Sequence, residues 1–350
     1  MINSLATGGA ERMVVQLAIH GVRAGHEVRV VLLANKEGIP KNLAQEEGLD
    51  VMVLGRSSLD PRLAFRLRRA LRGADVVHAH LFPAMYWVAL MPGVKVFTEH
   101  STHNRRMGNR LFKLPERWAY GRFKRIIAIS AGVARRVREH SDNIGSRTAL
   151  VVATNGVADE FYLQQRQVHD GPLRIVAVGS LTAVKQHRLA IQAMTLLPDA
   201  TLDIAGDGPF RESLEDLIAE LRLASRVRLL GNVQDVPQLL AQSDLLLSTS
   251  QYEGFSLVAA EAQAVGLPVV GPKVEGFDEV VVHGESGLLF SDRSPRAIAA
   301  MLENAAEADT YMRLARGAVV NARRLSMRVA FRANDEVYRQ VLNEVHGARS

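Results

Sequence analysis

The chain has 350 residues, of which 47% are hydrophobic and 23% are charged, and its net charge is +6. This length exceeds what one hydrophobic core usually sustains, so two domains are expected. Cysteine is absent, which excludes disulfides, thiol nucleophiles and cysteine-ligated zinc sites. No apolar run approaches the ~18 residues of a membrane-spanning helix, and the first residues lack the pattern of a secretory signal, so a cytoplasmic location is expected.

Short apolar segments alternate with helical patterns in the first half of the chain. Six segments rich in Val, Ile and Leu predict strands over 27–33, 51–54, 76–79, 95–98, 126–129 and 150–153. The helical patterns between them include 11–24, 61–71 and 131–139. Continuous apolar strands of this kind are typical of parallel sheets that are covered on both faces.

The second half repeats this alternation. Strands are predicted over 174–178, 200–204, 227–230, 244–248, 267–270 and 287–290, and helices over 188–196, 210–221, 236–241, 257–264 and 295–304. The pattern predicts an α/β fold with two doubly wound, Rossmann-like parallel-sheet domains, 1–165 and 166–325, joined by a polar linker near 162–172. A last helix over about 326–345 is expected to pack back on the first domain. Because ligands of parallel sheets bind beyond the carboxyl ends of the strands, we expect the active site in the cleft between the two sheets.

The richest set of candidate site residues surrounds Glu253 and Glu261. Glu253 lies in a glycine-containing loop after an apolar strand, and Glu261 lies in the following helix. A separation of eight residues returns to nearly the same helix face. The N–H groups of Phe255, Ser256 and Leu257 at the helix start have no partner within the helix and suit an anion. Two glutamates on a solvated face would be plain surface charge, whereas this loop predicts a phosphate cradle flanked by carboxylates.

Two further segments follow predicted strands or precede helices in the same way. Gly8 and Gly9 stand before a helix, where a glycine pair lets the backbone approach a phosphate or a sugar. Lys185 follows the strand over 174–178, where its ammonium group can neutralise a diphosphate.

Histidines cluster near two strand ends in the first half. His100 follows the strand over 95–98 and is preferred as a site residue over the nearby His103. His78 and His80 place two imidazoles on one strand face. Metal ligation by this pair would need a third ligand, which the sequence does not show, so a packed or hydrogen-bonded pair is expected and no metal site is predicted.

These motifs resemble the signature of retaining GT-B glycosyltransferases of family 4 over nearly the whole chain. The resemblance implies sugar transfer from a nucleotide diphosphate sugar with retained anomeric configuration and without a bound metal or cofactor. It implies that Lys185 contacts the diphosphate, that Glu253 holds donor-sugar hydroxyls, and that Glu261 holds the ribose. Gly254 is expected among the donor-binding residues of the same loop. His100 would contact the donor sugar near the reacting carbon.

The same resemblance assigns the nucleotide base to backbone groups of Asn232 and Val233. Two positions depart from the family pattern. Ser180 stands where the family commonly has a diphosphate-binding arginine, and the segment before Gly8 is shorter than the family's first strand. Two alternatives therefore stay open: a nucleotide-sugar epimerase of the same architecture and a non-catalytic nucleotide-sugar-binding subunit.

Charge is shared unevenly along the chain. Residues 1–165 hold 24 Lys and Arg against 14 Asp and Glu, with the excess gathered in 56–72 and 101–125. A basic surface attracts anions, and no nucleic-acid-binding motif is present. We therefore expect peripheral binding to an anionic membrane or to a polyprenyl-linked or glycan acceptor, as in capsule, exopolysaccharide or lipid-linked glycan assembly, against the alternative of an ordinary solvated basic face.

Overall fold

The computed structural model describes residues 1–57, 60–102, 104, 106–107, 109–164 and 171–347. The chain divides into two compact units. The first unit comprises Met1–Gly156 together with the segment that begins at Met327, and the second unit comprises Val157–Ser326. The predicted boundary after residue 165 therefore lies later in the chain than the observed division after Gly156.

The first unit contains six parallel strands in two groups. They are β1 (Arg29–Leu32), β2 (Asp50–Val53), β3 (Val76–His80), β4 (Val94–Glu99), β5 (Arg125–Ala128) and β6 (Ala149–Val152). β1 pairs with β2, and the other four follow the order β3-β4-β5-β6. The helices are α1 (Gly9–Arg23), α2 (Ile39–Glu46), α3 (Leu63–Ala70), α4 (Ala84–Ala89), α5 (Lys113–Tyr120) and α6 (Ala131–Ile144).

The short segment before Gly8 joins these two groups of strands. The N–H of Ile2 donates to the carbonyl oxygen of Val31 at 3.1 Å, and the N–H of Leu33 donates to Ile2 at 3.2 Å. On the other side, the N–H of His80 donates to the carbonyl oxygen of Met1 at 2.9 Å. A few residues therefore occupy the position of the central strand and connect β1 with β3.

The second unit contains one six-stranded parallel sheet. Its strands are β7 (Leu173–Val178), β8 (Ala200–Ala205), β9 (Val227–Gly231), β10 (Leu245–Leu247), β11 (Val269–Pro272) and β12 (Gly287–Phe290), in the order β12-β11-β10-β7-β8-β9. The helices are α7 (Asp159–Tyr162), α8 (His187–Ala193), α9 (Arg211–Glu220), α10 (Val236–Ala241), α11 (Leu257–Ala264), α12 (Pro295–Ala306) and α13 (Ala308–Ala322). All strand pairs in both units are parallel, which confirms the predicted α/β class.

The last helix, α14 (Met327–Gly347), belongs to the first unit. Its residue Phe331 is buried with Met13 of α1, and Val337 and Val341 are buried against Val96 of β4 and its neighbours. Val329 of the same helix is exposed. The apolar stripe of α14 thus completes the core of the first unit.

Candidate active site

The strand order of the second unit reverses beside β7. β8 and β9 lie on one side of β7, whereas β10, β11 and β12 lie on the other. The connections that follow β7 and β10 therefore leave the sheet on opposite sides, which opens a crevice at the carboxyl ends of these two strands. Open parallel sheets bind ligands in such a crevice. The loops after β7 and β10 carry Lys185 and Glu253, so the topology places two predicted site residues at this reversal.

Lys185 and Glu253 form an ion pair. Nζ of Lys185 donates to Oε1 of Glu253 at 2.7 Å, and the two side chains are 23% and 11% exposed. Gly179, directly after β7, makes room for the lysine, because a Cβ there would lie 3.2 Å from Cε of Lys185. An ammonium group has three donors, so Lys185 can bind a phosphate oxygen while it keeps its contact with Glu253.

The loop that carries Lys185 is fixed by residues that the sequence did not identify. The hydroxyl group of Thr249 has one hydrogen to donate and lies within hydrogen-bond distance of two carbonyl oxygens. They are those of Lys185, at 2.8 Å, and of Gln186, at 3.0 Å. NH2 of Arg293 donates to Oε1 of Gln186 at 2.7 Å and to the carbonyl oxygen of Thr249 at 2.5 Å. Gln186 has a φ of 48°, which is uncommon outside glycine, and these bonds hold it there. Thr249 and Arg293 come from loops after β10 and β12, so no sequence spacing links them to Lys185.

The start of α11 differs from the predicted cradle at one group. The N–H of Ser256 donates to the carbonyl oxygen of Gly276 at 3.3 Å, so the prediction that this N–H serves an anion was wrong. The first bond into the helix runs from the N–H of Ala260 to Ser256 at 3.1 Å. Within the described part of the chain, the N–H groups from Leu257 to Ala259 have no backbone acceptor, and the buried hydroxyl of Ser256 has no hydrogen-bond partner. The helix start therefore keeps donors for an anion.

Close packing fixes the loop before α11. Gly276 has a φ of 78°, and a Cβ there would lie 2.6 Å from the carbonyl oxygen of Glu253 and 2.7 Å from that of Gly254. The ring of Phe255 is buried, so this side chain supports the loop from within. Glu261 is only 5% exposed, which excludes the alternative of a solvated surface glutamate.

The carboxyl ends of β7, β8 and β9 approach one another through glycines. The N–H of Gly206 donates to the carbonyl oxygen of Gly231 at 2.7 Å, and a Cβ at Gly206 would lie 2.0 Å from the carbonyl oxygen of Gly179. Asn232 and Val233 directly follow β9, with Asn232 exposed and Val233 half-buried. Both predicted base-binding residues thus lie at the carboxyl edge of the sheet that carries Lys185.

His187 lies at the start of α8, two residues after Lys185, and is buried. Its ring nitrogens have no hydrogen-bond partner of good geometry among the described residues, although the ring lies near the backbone of Gly179 and Ser180. Burial, and secondarily the charge of Lys185, lowers the pKa of His187 to about 4. The imidazole is therefore neutral at pH 7 and adds no cation to the crevice.

In the first unit, α1 begins at Gly9, and the preceding Gly8 is in an extended conformation. A Cβ at Gly8 would lie 2.3 Å from Oε2 of Glu11, so the carboxylate of Glu11 lies against the helix start. Burial raises the pKa of Glu11. The space beside Gly8, where a ligand was predicted to approach the backbone, is thus filled by the side chain of Glu11 from α1. Gly9 is exposed.

His100 follows β4 and is hydrogen-bonded to another histidine. Its Nε2 lies 3.0 Å from Nδ1 of His80. His78, on the same strand as His80, has both nitrogens bonded, to the hydroxyl of Tyr338 at 2.7 Å and to Oγ1 of Thr98 at 2.6 Å. Burial lowers the pKa of His100 to about 4 and holds the pKa values of His78 and His80 well below their ordinary range.

The competitor His103 lies outside the described residues. Among the residues described, no group of three or more His, Asp or Glu side chains is arranged to hold a metal ion. The rings of His78 and His80 pack against each other, with their centroids 4.0 Å apart, and both rings are hydrogen-bonded.

Arg106 occupies the interior of the first unit, although the sequence placed it on a basic surface. It is 6% exposed, and its guanidinium lies 3.7 Å from Oε2 of Glu99 and 3.3 Å from Oε1 of Glu116. The second carboxylate oxygen of Glu116 contacts His140, and both glutamates are buried. Burial raises the pKa of Glu99. We call Glu99, Arg106, Glu116 and His140 the buried charge cluster.

Across the described residues, none of the helices is long and apolar enough to cross a membrane.

Two family models match the chain, one in each unit. Glycosyltransferase Family 4 matches residues 7–161, and Glycosyl transferases group 1 matches residues 159–321. Each of the two spans corresponds closely to one structural unit, and together they extend over most of the chain.

Curated relatives match shorter stretches. The chain is 37% identical over 118 residues to N-acetyl-alpha-D-glucosaminyl L-malate synthase of Bacillus anthracis, which is 33% of this chain and 31% of that protein. It is 30% identical over 265 residues to glycogen synthase of Mycobacterium tuberculosis, which is 69% of this chain and 63% of that protein. The chain thus spans from about a third to 63% of the length of these relatives.

Among solved structures, Anabaena Alr3699/HepE in complex with UDP and glucose superimposes with a TM-score of 0.82. The sequences are 21% identical, and the match covers 96% of this chain and 98% of that one. At this identity the likeness shows the fold alone, which agrees with the two parallel-sheet units and the two family matches. The chain therefore carries a Glycosyltransferase Family 4 region in its first unit and a Glycosyl transferases group 1 region in its second, and its fold is that of GT-B proteins.

Proposed function

We propose that this protein transfers a sugar from a nucleoside diphosphate sugar to a glycan or lipid-linked acceptor with retention of the anomeric configuration. The observation that carries the proposal is the Lys185–Glu253 ion pair at 2.7 Å, at the strand-order reversal and beside the start of α11. One place thus offers a cation for a diphosphate, a carboxylate for sugar hydroxyls and unpaired backbone donors. The UDP and glucose bound by Alr3699/HepE support a nucleotide-sugar donor.

The proposed roles follow from the chemistry of each group. Lys185 stabilises the charge that develops on the departing diphosphate, as preorganised donors and cations do in other transferases. Glu253 accepts hydrogen bonds from donor-sugar hydroxyls, and Glu261 accepts them from the ribose. Backbone groups of Asn232 and Val233 hold the base.

His100 contacts the donor sugar as a neutral imidazole, because its pKa of about 4 leaves it uncharged at pH 7. The bond between the anomeric carbon and the diphosphate oxygen breaks as the acceptor hydroxyl oxygen bonds to that carbon. The departing diphosphate takes the acceptor proton, so this proposal needs no protein nucleophile or base.

Two substitutions test the division of labour between the glutamates. Glu261→Ala is expected to weaken binding of the free nucleoside diphosphate in titration calorimetry, because the ribose loses its acceptor. Glu253→Gln is expected to keep that affinity and to slow release of nucleoside diphosphate from UDP-, GDP- or ADP-sugars. Glu220→Gln, on an exposed position of α9, is the matched control.

The products separate the proposed activity from its rivals. Release of nucleoside diphosphate supports transfer, an epimerised sugar supports an isomerase, and neither product with intact nucleotide binding supports a binding subunit. Equal loss of nucleotide affinity in both glutamate variants would refute the assignment of separate roles.

We further propose that the first unit binds an anionic membrane through a surface centred on α5. Leu114 and Trp118 of α5 are 74% and 42% exposed and, four positions apart, share one helix face. Leu111, in the 3-10 turn directly before α5, is 82% exposed. The same segment carries Arg110, Lys113 and Arg117. Exposed apolar side chains bordered by cations are typical of membrane-interface segments. We call these six residues the α5 surface.

Vesicle co-sedimentation tests this surface. Reversing Arg110, Lys113 and Arg117 to Glu should release the protein from vesicles that contain phosphatidylglycerol, while UDP affinity stays unchanged. A matched reversal of the exposed Arg135, Arg136 and Arg138 on α6 changes the net charge equally and should retain most binding. Equal loss in both triple variants, or no vesicle binding by the native protein, would contradict the α5 surface. Arg106, which belongs to the basic segment 101–125, is not part of this surface because it is buried, and Arg105 lies outside the described residues.

A further inference from the structure

The first unit holds three imidazoles in a row that ends at the carboxyl end of β4. The ring centroids of His78 and His80 are 4.0 Å apart, and those of His80 and His100 are 5.3 Å apart. His80 is only 3% exposed. The proposed function uses His100 but assigns no task to the two histidines behind it.

The bond between His80 and His100 couples the protonation of their rings. A neutral imidazole has one N–H donor and one bare acceptor nitrogen. One of the two nitrogens in the Nδ1–Nε2 contact must therefore carry the proton and the other must be bare. If Nε2 of His100 carries the proton, Nδ1 of His100 is bare, and if Nε2 is bare, Nδ1 carries the proton.

His80 is itself held in place on several sides. Its backbone N–H donates to the carbonyl oxygen of Met1 at 2.9 Å, and its ring lies against His78. The ring of His78 is fixed at both nitrogens by Tyr338 and Thr98. The arrangement orients His80 from the interior while its Nδ1 contacts His100.

His100 lacks comparable support of its own. Its backbone N–H donates to Oε1 of Glu99 at 3.2 Å, but among the described residues the contact with His80 is the only side-chain hydrogen bond to its ring. Without it, the ring could rotate by half a turn or exchange tautomers, and each change would present a different nitrogen to a ligand.

We propose that His80 is a positioning residue that locks His100 in a single tautomer and ring orientation, so that Nδ1 of His100 meets the donor sugar in one fixed protonation state. This inference rests on the proposed function for the contact between His100 and the sugar. The lock itself is a property of the folded protein and can be measured without substrate.

The test compares three variants with the native protein. His80→Phe keeps a ring against His78 and removes both nitrogens. His80→Asn returns a hydrogen-bonding group near the position of Nδ1. Tyr338→Phe removes one of the two hydrogen bonds of the His78 ring, leaves its bond with Thr98 and the His80–His100 bond in place, and serves as the matched control.

The direct readout is the pair of ring ¹⁵N signals of His100 at pH 7 in protein labelled with ¹⁵N-histidine, assigned by their loss in His100→Asn. The native protein and Tyr338→Phe should show one N–H nitrogen and one bare nitrogen. His80→Phe should show two averaged signals. Averaged signals in the native protein, or unchanged signals in His80→Phe, would overturn the lock. Should His80→Phe fail to fold, the native spectrum and the His80→Asn spectrum still decide.

The kinetic readout is hydrolysis of UDP-glucose, or of whichever nucleotide sugar the native protein turns over. His80→Phe should lower kcat about tenfold or more, as loss of an orienting partner of a functional histidine commonly does, and should leave the Kd of UDP unchanged. His80→Asn should recover part of the loss, which a purely structural role would not predict. A native kcat in His80→Phe overturns the positioning role. If the native protein turns over no nucleotide sugar, the proposed function fails while the ¹⁵N signals still decide the lock.

Discussion

In the second unit, Lys185 and Glu253 form an ion pair at the edge of the sheet, and their side chains are 23% and 11% exposed. In the first unit, Arg106 lies between Glu99 and Glu116, and all three side chains are 7% exposed or less. A partly exposed pair can exchange water or a partner for a ligand at modest cost. A buried cluster cannot do so without leaving an uncompensated charge in the interior. The comparison favours a binding role for the Lys185–Glu253 pair and a folding role for the buried charge cluster.

The largest effect is expected from breaking the buried charge cluster. Arg106→Met should destabilise the protein by about 3–5 kcal/mol, because Glu99 and Glu116 lose their shared cation in the interior. Urea denaturation followed by circular dichroism measures the change. Arg228→Met removes an arginine of similar size from an exposed pair with Asp203 and should cost less than about 1 kcal/mol. A similar loss of stability in Arg106→Met and Arg228→Met would contradict the distinction between buried and exposed ion pairs.

Lys185→Ala should act on binding more than on stability. Loss of one charge-assisted contact costs about 1.5–3 kcal/mol, which corresponds to a Kd for nucleoside diphosphate about 10- to 150-fold higher. Calorimetry with UDP and with uridine separates the diphosphate from the base, since only UDP should lose affinity. An equal loss for uridine would mean that the substitution disturbs the whole unit.

His187 allows a pH experiment inside the second unit. Its folded pKa of about 4 lies below the ordinary value of about 6.5, so between these pH values the unfolded chain binds a proton that the folded chain does not. Stability is therefore lost as pH falls from about 6.5 toward 4, by about 2 kcal/mol at pH 5 for this group. His187→Leu should lessen the fall of the urea midpoint between pH 7.5 and pH 5. A parallel fall in both proteins would show that His187 is not the titrating group.

The smallest effect is expected from adding a cation to the binding unit. Ser180 is exposed, so an arginine has room there, and Ser180→Arg should tighten UDP binding by up to about tenfold. Ser180→Gln is nearly as long and uncharged, and it should leave the affinity unchanged. Equal or weaker UDP binding by Ser180→Arg would show that another group already compensates for the arginine of related enzymes.

The sequence predicted the parallel strands well because their apolar runs are local signals. Helices α2, α4, α5, α7 and α13 were not named among the predicted helices, for different local reasons. α2 and α5 contain Pro40 and Pro115 near their starts, α4 is a short apolar stretch without periodicity, α7 has four residues, and α13 follows α12 almost without a break. Such helices are fixed by the surface on which they pack, and their own periodicity is too weak to predict them.

Candidate residues were found where a motif has fixed spacing, as for Glu253 and the start of α11. Their contacts were not predictable, since Lys185 and Glu253 meet only through the order of strands in the folded sheet. The burial of Arg106 was missed for the same reason. Within a basic segment its charge looked like that of its neighbours, and its partner Glu116 is identified only by the packing of α5.

Helix α14 has a consequence for synthesis on the ribosome. The second unit is one continuous stretch of chain, so all of its strands are available as soon as Ser326 has emerged. The strands of the first unit are synthesised first, but their apolar face is covered only after Met327, Phe331 and Val337 of α14 have been synthesised. Until then the nascent first unit exposes that face, and its closure depends on a contact of very large sequence separation, which is intrinsically slow to form. Of the two units, the one whose strands are translated first is thus the one that completes folding last, and chaperone dependence should concentrate there.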